Sequence, residues 1–362
     1  MALTEAMGKR GKERQIYLDV LRVAATCAVV LMHTVTGAPD NLEAEGLDLF
    51  RRISWMLVDL TEWCVPVFLI ISGYLFLDPK REIRIRELAG KYMMRILLAL
   101  FIFGVPFSLM EMIAGDVHSD HILIMVYHAL ANVIRGKSWA HLWYLYLILF
   151  LYAITPVIKR MLNRLPTALY IFVMAVLLVV CSLIPFIWRL MYLEVPSRYP
   201  EYGIYLFYYL CGYGFAKYAR REKADNAGSG IVLLSLGAVL MIFLIEMISR
   251  LTGNYAVRMA YGYPGALLVA VLLFWSTIAA QRCVKVSGGK SVEVWAMLSR
   301  LCFGIYLIHP VFLNFAYKFM GLTLMKIGFW IAVPTLFAGA LLGAALVTAV
   351  LLKIPFFRNY VL

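Results

Sequence analysis

Charge is scarce in this chain of 362 residues. Asp, Glu, Lys and Arg make up 15% of it, against about 25% in a soluble domain. Carboxylates are the scarcer sign, 21 against 34 Lys and Arg, leaving a net charge of +13. The six cysteines show no CxxC or other metal-ligand spacing. They read as small core residues, with no disulfide framework and no metal site predicted. His118, His121 and His128 likewise form no zinc pattern. Short strands alternating apolar with polar residues are missing, which excludes a membrane β-barrel. No internal repeat is evident, and a repeat would favour a transporter. The first apolar run is too long for a signal-peptide core and no small-residue cleavage site follows it, so no cleavable signal is expected.

Apolar sequence fills the space left by charge. Hydrophobic residues reach 63%, with a mean hydropathy of +0.82. Repeated windows of about 20 apolar residues each fit a ~30 Å hydrocarbon core. The expected fold is all-α, a polytopic membrane helical bundle of about ten transmembrane helices. The spans fall near 17–37, 53–77, 92–113, 141–158, 167–188, 202–216, 230–249, 262–280, 294–314 and 328–352. Between 115 and 140 the run HILIMVYHALANVI reads as a short interfacial or re-entrant helix. The domain organisation is then a tail over 1–16, a transmembrane domain over 17–352 and a second tail over 353–362.

Basic residues in the loops number 21 on the side of the N-terminus and 10 on the other. The positive-inside rule places both termini in the cytoplasm. The charge of +13 therefore follows from loops facing anionic membrane lipid and calls for no nucleic acid. Loop 78–91, DPKREIRIRELAGK, is the best candidate to grip an anionic cytoplasmic ligand, through Arg84, Arg86 and Lys91.

Two ionisable residues share the first span. Arg22 and His33 stand eleven residues apart. Eleven steps of ~100° make three turns plus about 20°, so both side chains leave one helix face, roughly 16 Å apart along the axis. Ionisable groups at membrane depth are costly and mark a site or a pathway by default. Asp19 lies within helical reach of Arg22 and lowers the cost of burying it. Glu62, on the same face of the second span as Asp59, is a candidate base or orienter for His33. Pro66 can kink that span, and Ser72–Gly73 permits a close helix crossing. Arg95 begins the third span and forms a cationic mouth with Arg22; a guanidinium fork suits phosphate. His141 and Trp143 open the fourth span, where aromatic residues are ordinary interfacial anchors. His309 lies in the outer half of the ninth span. Arg300 precedes it by nine residues, on the opposite face of that helix.

LDVLR followed by His33, then VPVFLIISGYLF, KYMMRI, HLWYLYLILFLYAITP and LSRLCFGIYLIHP, follow in this order along nearly the whole chain. This series resembles acyltransferase family three, integral-membrane acyltransferases widespread in bacteria, and most closely its stand-alone members. The resemblance implies ten or so helices and transfer of an acyl group, usually acetyl from acetyl-CoA, to a glycan outside the cytoplasm. Its motif residues fall on Arg22, His33 and Arg95. Some relatives carry a fused extracytoplasmic hydrolase-like domain that completes transfer. No GDS-type nucleophile motif is present here, so either this protein finishes the transfer or a separate extracytoplasmic transferase does.

The expected protein is a multi-pass enzyme of the cytoplasmic membrane whose partners are acyl-CoA, a glycan acceptor and membrane lipids. Acyl-CoA phosphates would meet Arg22, Arg95 and Arg84, Arg86 or Lys91. His33 would act as general base or as acyl carrier, oriented by Glu62 or His309. Asp19, Ser72, His141, Trp143, Arg300 and His309 would support it or meet the acceptor. The alternative is a transporter or flippase of a small solute or lipid-linked saccharide, which should show discontinuous helices and coupling-ion carboxylates in symmetric halves.

Overall fold

The computed structural model describes residues 15–37, 48–115, 121–218, 260–283 and 290–362, with single positions between 236 and 248. The basic cluster at 9–14, His118 and most of the expected span at 230–249 lie outside the described residues. The helices are α1 (Ile16–Thr36), α2 (Asp48–Thr61), α3 (Cys64–Phe76), α4 (Met94–Ala114), α5 (Ile122–Ile134), α6 (Trp143–Arg164), α7 (Thr167–Leu178), α8 (Ile184–Leu190), α9 (Ile204–Lys217), α10 (Pro264–Cys283), α11 (Lys290–Asn314) and α12 (Phe329–Leu351). No strand occurs among the described residues. The protein is an all-α polytopic membrane bundle.

Among the described residues, seven stretches are long and apolar enough to cross a membrane: α1, Leu49–Phe76, Ile85–Ile113, Ala140–Arg164, Thr167–Leu190, Lys290–Phe319 and α12. Two further expected spans are shorter helices. α9 has 14 residues, about 21 Å at the α-helical rise, which is less than a hydrocarbon core. α10 is continuously apolar over Pro264–Ala279. The run after 115 folds as α5, 13 residues long, and packs on α4.

The second span is broken rather than kinked at Pro66. Glu62 and Trp63 form a turn between α2 and α3. A proline ring excludes the carbonyl four residues earlier from the helical ladder, and that carbonyl belongs to Glu62. Val67 resumes the ladder by donating to the Trp63 carbonyl at 3.1 Å.

α1, α3 and α11 form the centre. Residues of the α1 window are 61% buried, against 17% for Thr167–Leu190, which turns its apolar surface outward. α11 lies between α1 and α12, and α3 packs against α9. At the α3–α9 crossing the backbones touch. A Cβ on Gly73 would overlap the Tyr209 carbonyl, and one on Gly212 would overlap the main chain of Gly73 and Tyr74. Small residues permit this approach, and close packing replaces the hydrophobic drive that lipid does not supply.

Candidate active site

A cavity of about 250 Å³ runs between α1, α3, α6 and α11, and Arg22 and His33 both line it. The eleven-residue spacing therefore does on α1 what helix geometry requires. From α3 come Phe68, Ser72 and Leu75, from α6 Trp143, Tyr144, Ile148 and Tyr152, and from α11 Arg300, Phe303 and Tyr306.

At one end three imidazoles meet. His33 Nδ1 lies 2.9 Å from His309 Nε2, and the rings stack with centroids 5.0 Å apart. His309 Nδ1 lies 2.9 Å from the Ile305 carbonyl. A carbonyl only accepts, so His309 Nδ1 carries the proton. For two neutral rings, His309 Nε2 is then the acceptor and His33 Nδ1–H the donor. His33 Nε2 is left with a lone pair. This is how a hydrogen bond at one ring nitrogen sets the state of the other. His141 approaches both rings edge-on, with centroids 6.3 Å from His33 and 5.8 Å from His309. It precedes α6 in the turn Ala140–Leu142, and its carbonyl accepts from the Tyr306 hydroxyl at 2.5 Å. His141 Nε2 is buried with no hydrogen-bond partner among the described residues. No group of three His, Cys, Asp or Glu among those residues is arranged to hold a metal; His33 and His309 bond to each other instead.

At the other end Arg22, Arg95 and Arg300 line the same cavity. Arg22 donates to Asp19 at 3.1 Å, and Asp19 is 2% exposed. Arg95 donates to the Arg358 carbonyl at 3.2 Å. Arg358 belongs to the π-helical turn Phe357–Val361, and Leu362 beyond it is buried against the cavity. The stripe Arg300, Phe303, Tyr306 repeats every three residues and drifts around α11. Its next member, His309, ends behind His33 rather than on the cavity wall. That drift reconciles the opposite faces of Arg300 and His309 with a shared site.

Several expected residues stand elsewhere. Arg84 and Arg86 are exposed and do not line the cavity. Lys91 lies over the Tyr92 ring, 6.0 Å from its centroid. Loop 78–91 contributes instead through Arg81, which donates to the Tyr92 hydroxyl and the Leu75 carbonyl, both at 3.1 Å. Glu62 is not the partner that orients His33. The break in the second span leaves it within electrostatic reach of Cys64, Tyr205 and Tyr261, while His309 holds the imidazole. Ser72 reaches the hydroxyls of Tyr144 and Tyr152.

Residues not singled out from sequence include Tyr92 and Lys159. Tyr92 lines the arginine end one turn before Arg95, a spacing visible in KYMMRI. Lys159 on α6 donates to the carbonyls of Phe76 at 3.4 Å, Asp78 at 2.8 Å and Arg81. It thereby fixes the turn that leaves α3. Nothing in the basic run around Lys159 distinguishes it from its neighbours.

The family model described as an acyltransferase domain, that of acyltransferase family 3, matches residues 15–350. The chain belongs to acyltransferase family 3. No curated protein and no solved structure matches it. The match contains α1 to α11, all but the last residue of α12, and the arginines and histidines at the two ends of the cavity; the turn Phe357–Val361 and Leu362 lie beyond it. This membrane acyltransferase thus carries its arginines and its histidines on a single continuous family domain.

Proposed function

We propose that this acyltransferase takes an acyl group, acetyl in the simplest case, from cytoplasmic acyl-CoA at the arginine end. It passes the group to a hydroxyl of a cell-surface or lipid-linked glycan at the histidine end. The cytoplasmic membrane is the compartment this requires. One observation carries the reading: a single cavity joins Arg22, Arg95 and Arg300 to His33. Three guanidinium groups suit the phosphates of coenzyme A, since each fork binds two oxygens at once. The thin pantetheine arm then reaches along the cavity toward His33.

The lone pair on His33 Nε2 supplies the chemistry. It accepts the proton of the acceptor hydroxyl as the oxygen attacks the thioester carbonyl. The carbon–sulfur bond breaks, and the imidazolium returns the proton to the coenzyme A sulfur. His309 holds the imidazole through Nδ1 and stabilises the positive charge that forms, as the third member of a catalytic triad does. The same lone pair supports the covalent route, in which Nε2 attacks the thioester carbonyl, the carbon–sulfur bond breaks to release coenzyme A thiolate, and the acceptor hydroxyl then displaces Nε2 from the acyl carbon while its proton goes to the thiolate.

The test is transfer of label from labelled acetyl-CoA to a cell-envelope glycan fraction by purified protein in liposomes, with His33→Ala beside it. Label in the glycan with wild-type protein alone is the expected result. Equal labelling by a folded His33→Ala protein would overturn the role of His33. Failure of wild type to bind acyl-CoA at all would return weight to a transporter.

A further inference from the structure

The end of the cavity away from the arginines is paved with aromatic rings. Trp143, the first residue of α6, lines the cavity beside His33 and is 36% exposed. Its ring centroid lies 5.3 Å from that of Tyr205 and 6.0 Å from that of Tyr261. Tyr205 stacks in turn on Tyr202, with centroids 6.4 Å apart and planes 22° from parallel. Tyr202 is 72% exposed. The rings thus run in contact from the surface into the chamber that holds His33. Interfacial anchor residues turn their rings toward lipid headgroups, whereas Trp143 and Tyr261 turn theirs into the cavity.

One carboxylate stands beside this path. Glu201 precedes Tyr205 by four residues, one helical turn, and Arg189 fixes it at 2.8 Å.

We propose that Trp143, Tyr205 and Tyr202 form a stacking track for an uncharged pyranose ring of the acceptor, with Glu201 accepting hydrogen bonds from its hydroxyls. The proposal rests on the reading that the acceptor is a glycan, and names where its sugar sits. A pyranose has apolar C–H faces and a polar rim. Its C–H dipoles match the negative face of an aromatic ring, and its hydroxyls match carboxylate oxygens. A ring seated on Trp143 presents one of its hydroxyls to His33 Nε2. An acyclic polyol offers the same hydroxyls without the face, so the track discriminates by shape.

Binding is read without turnover, by saturation-transfer NMR on the full chain in nanodiscs. The probe is methyl α-D-glucopyranoside, and sorbitol is the control without a ring. The expected result is transfer to the pyranoside ring protons and not to sorbitol, falling about ten-fold in Trp143→Ala and Tyr205→Ala. Trp143→Phe and Tyr205→Phe retain the signal, and Tyr202→Ala, at an exposed position that folding does not depend on, weakens it. Equal signal in wild type and the three alanine variants, or no pyranoside signal in wild type, overturns the track. The liposome transfer assay separates the two readings. Pyranoside binding without labelling of any glycan leaves the track standing and removes the glycan-transfer reading. Glycan labelling without pyranoside binding removes the track and keeps the transfer.

Discussion

His309 holds His33 by a 2.9 Å hydrogen bond between ring nitrogens, across 276 residues of sequence. The bond ends on the carbonyl of Ile305 and not on a carboxylate. The interior of the site is thereby oriented without an anion at that point, where an unpaired charge is most costly.

Removing either ring should separate chemistry from binding. His33→Ala is expected to lower the transfer rate by about 10²–10⁴-fold, the usual worth of general-base catalysis. His309→Ala should also lose activity, because His33 Nδ1–H then has no acceptor and the ring no fixed orientation. Acyl-CoA affinity, read by calorimetry on protein in detergent, should stay within a few-fold in both.

The arginine end should govern the donor alone. Arg95→Ala and Arg300→Ala are expected to raise the KM for acetyl-CoA by about ten-fold or more, with the acceptor KM unchanged. Initial rates at varied donor and fixed acceptor check this. A rise in the acceptor KM instead would place these residues elsewhere in the reaction.

Arg22 needs a second substitution for a clean reading. Arg22→Ala breaks the ion pair with Asp19, which is 2% exposed, and breaking a buried pair costs about 3–5 kcal/mol. Asp19→Asn with Arg22→Ala should recover thermal stability in detergent while donor affinity stays low. Recovery of donor affinity as well would make Arg22 a structural residue only.

Lys159→Met should loosen the turn after α3. The ammonium donates to three main-chain carbonyls, and hydrogen bonds to charged groups are worth about 1.5–3 kcal/mol each. Hydrogen exchange at Arg81 and its neighbours should accelerate strongly, while exchange in α12 is unaffected.

Sequence reading reached the parts of the site that lie on one helix. Arg22, His33 and Asp19 are legible because helical periodicity relates residues a few turns apart. Arg95 was legible as a cation at the start of a span. His309 and Arg300 were visible as polar residues in an apolar run, but their meeting with His33 and Arg22 depends on α11 packing beside α1, which no local pattern encodes. The basic loop misled in detail. Arg84, Arg86 and Lys91 look no different in sequence from Arg81, yet Arg81 alone among the four bonds to the wall residue Tyr92. Glu62 was drawn toward His33 by assuming an unbroken second span. The turn imposed by Pro66 carries it toward Tyr205 and Tyr261 instead. Each expected span other than 230–249 coincides with a described helical stretch, because a run of about 20 apolar residues is set by bilayer thickness more than by any neighbour, while several helix ends run four to seven residues past the apolar run.

The contact of backbone on backbone at Gly73 and Gly212 has a mechanical consequence. α3 forms one wall of the cavity, and its far side is already against the main chain of α9 with no side chain between them to yield. That wall is stiff. Any ligand larger than the resting chamber must be accommodated by movement of α6 or α11 across from it. Adding a single methyl at Gly73 or Gly212 would push the stiff wall inward, so a change on the far side of α3 would be felt as a narrower chamber.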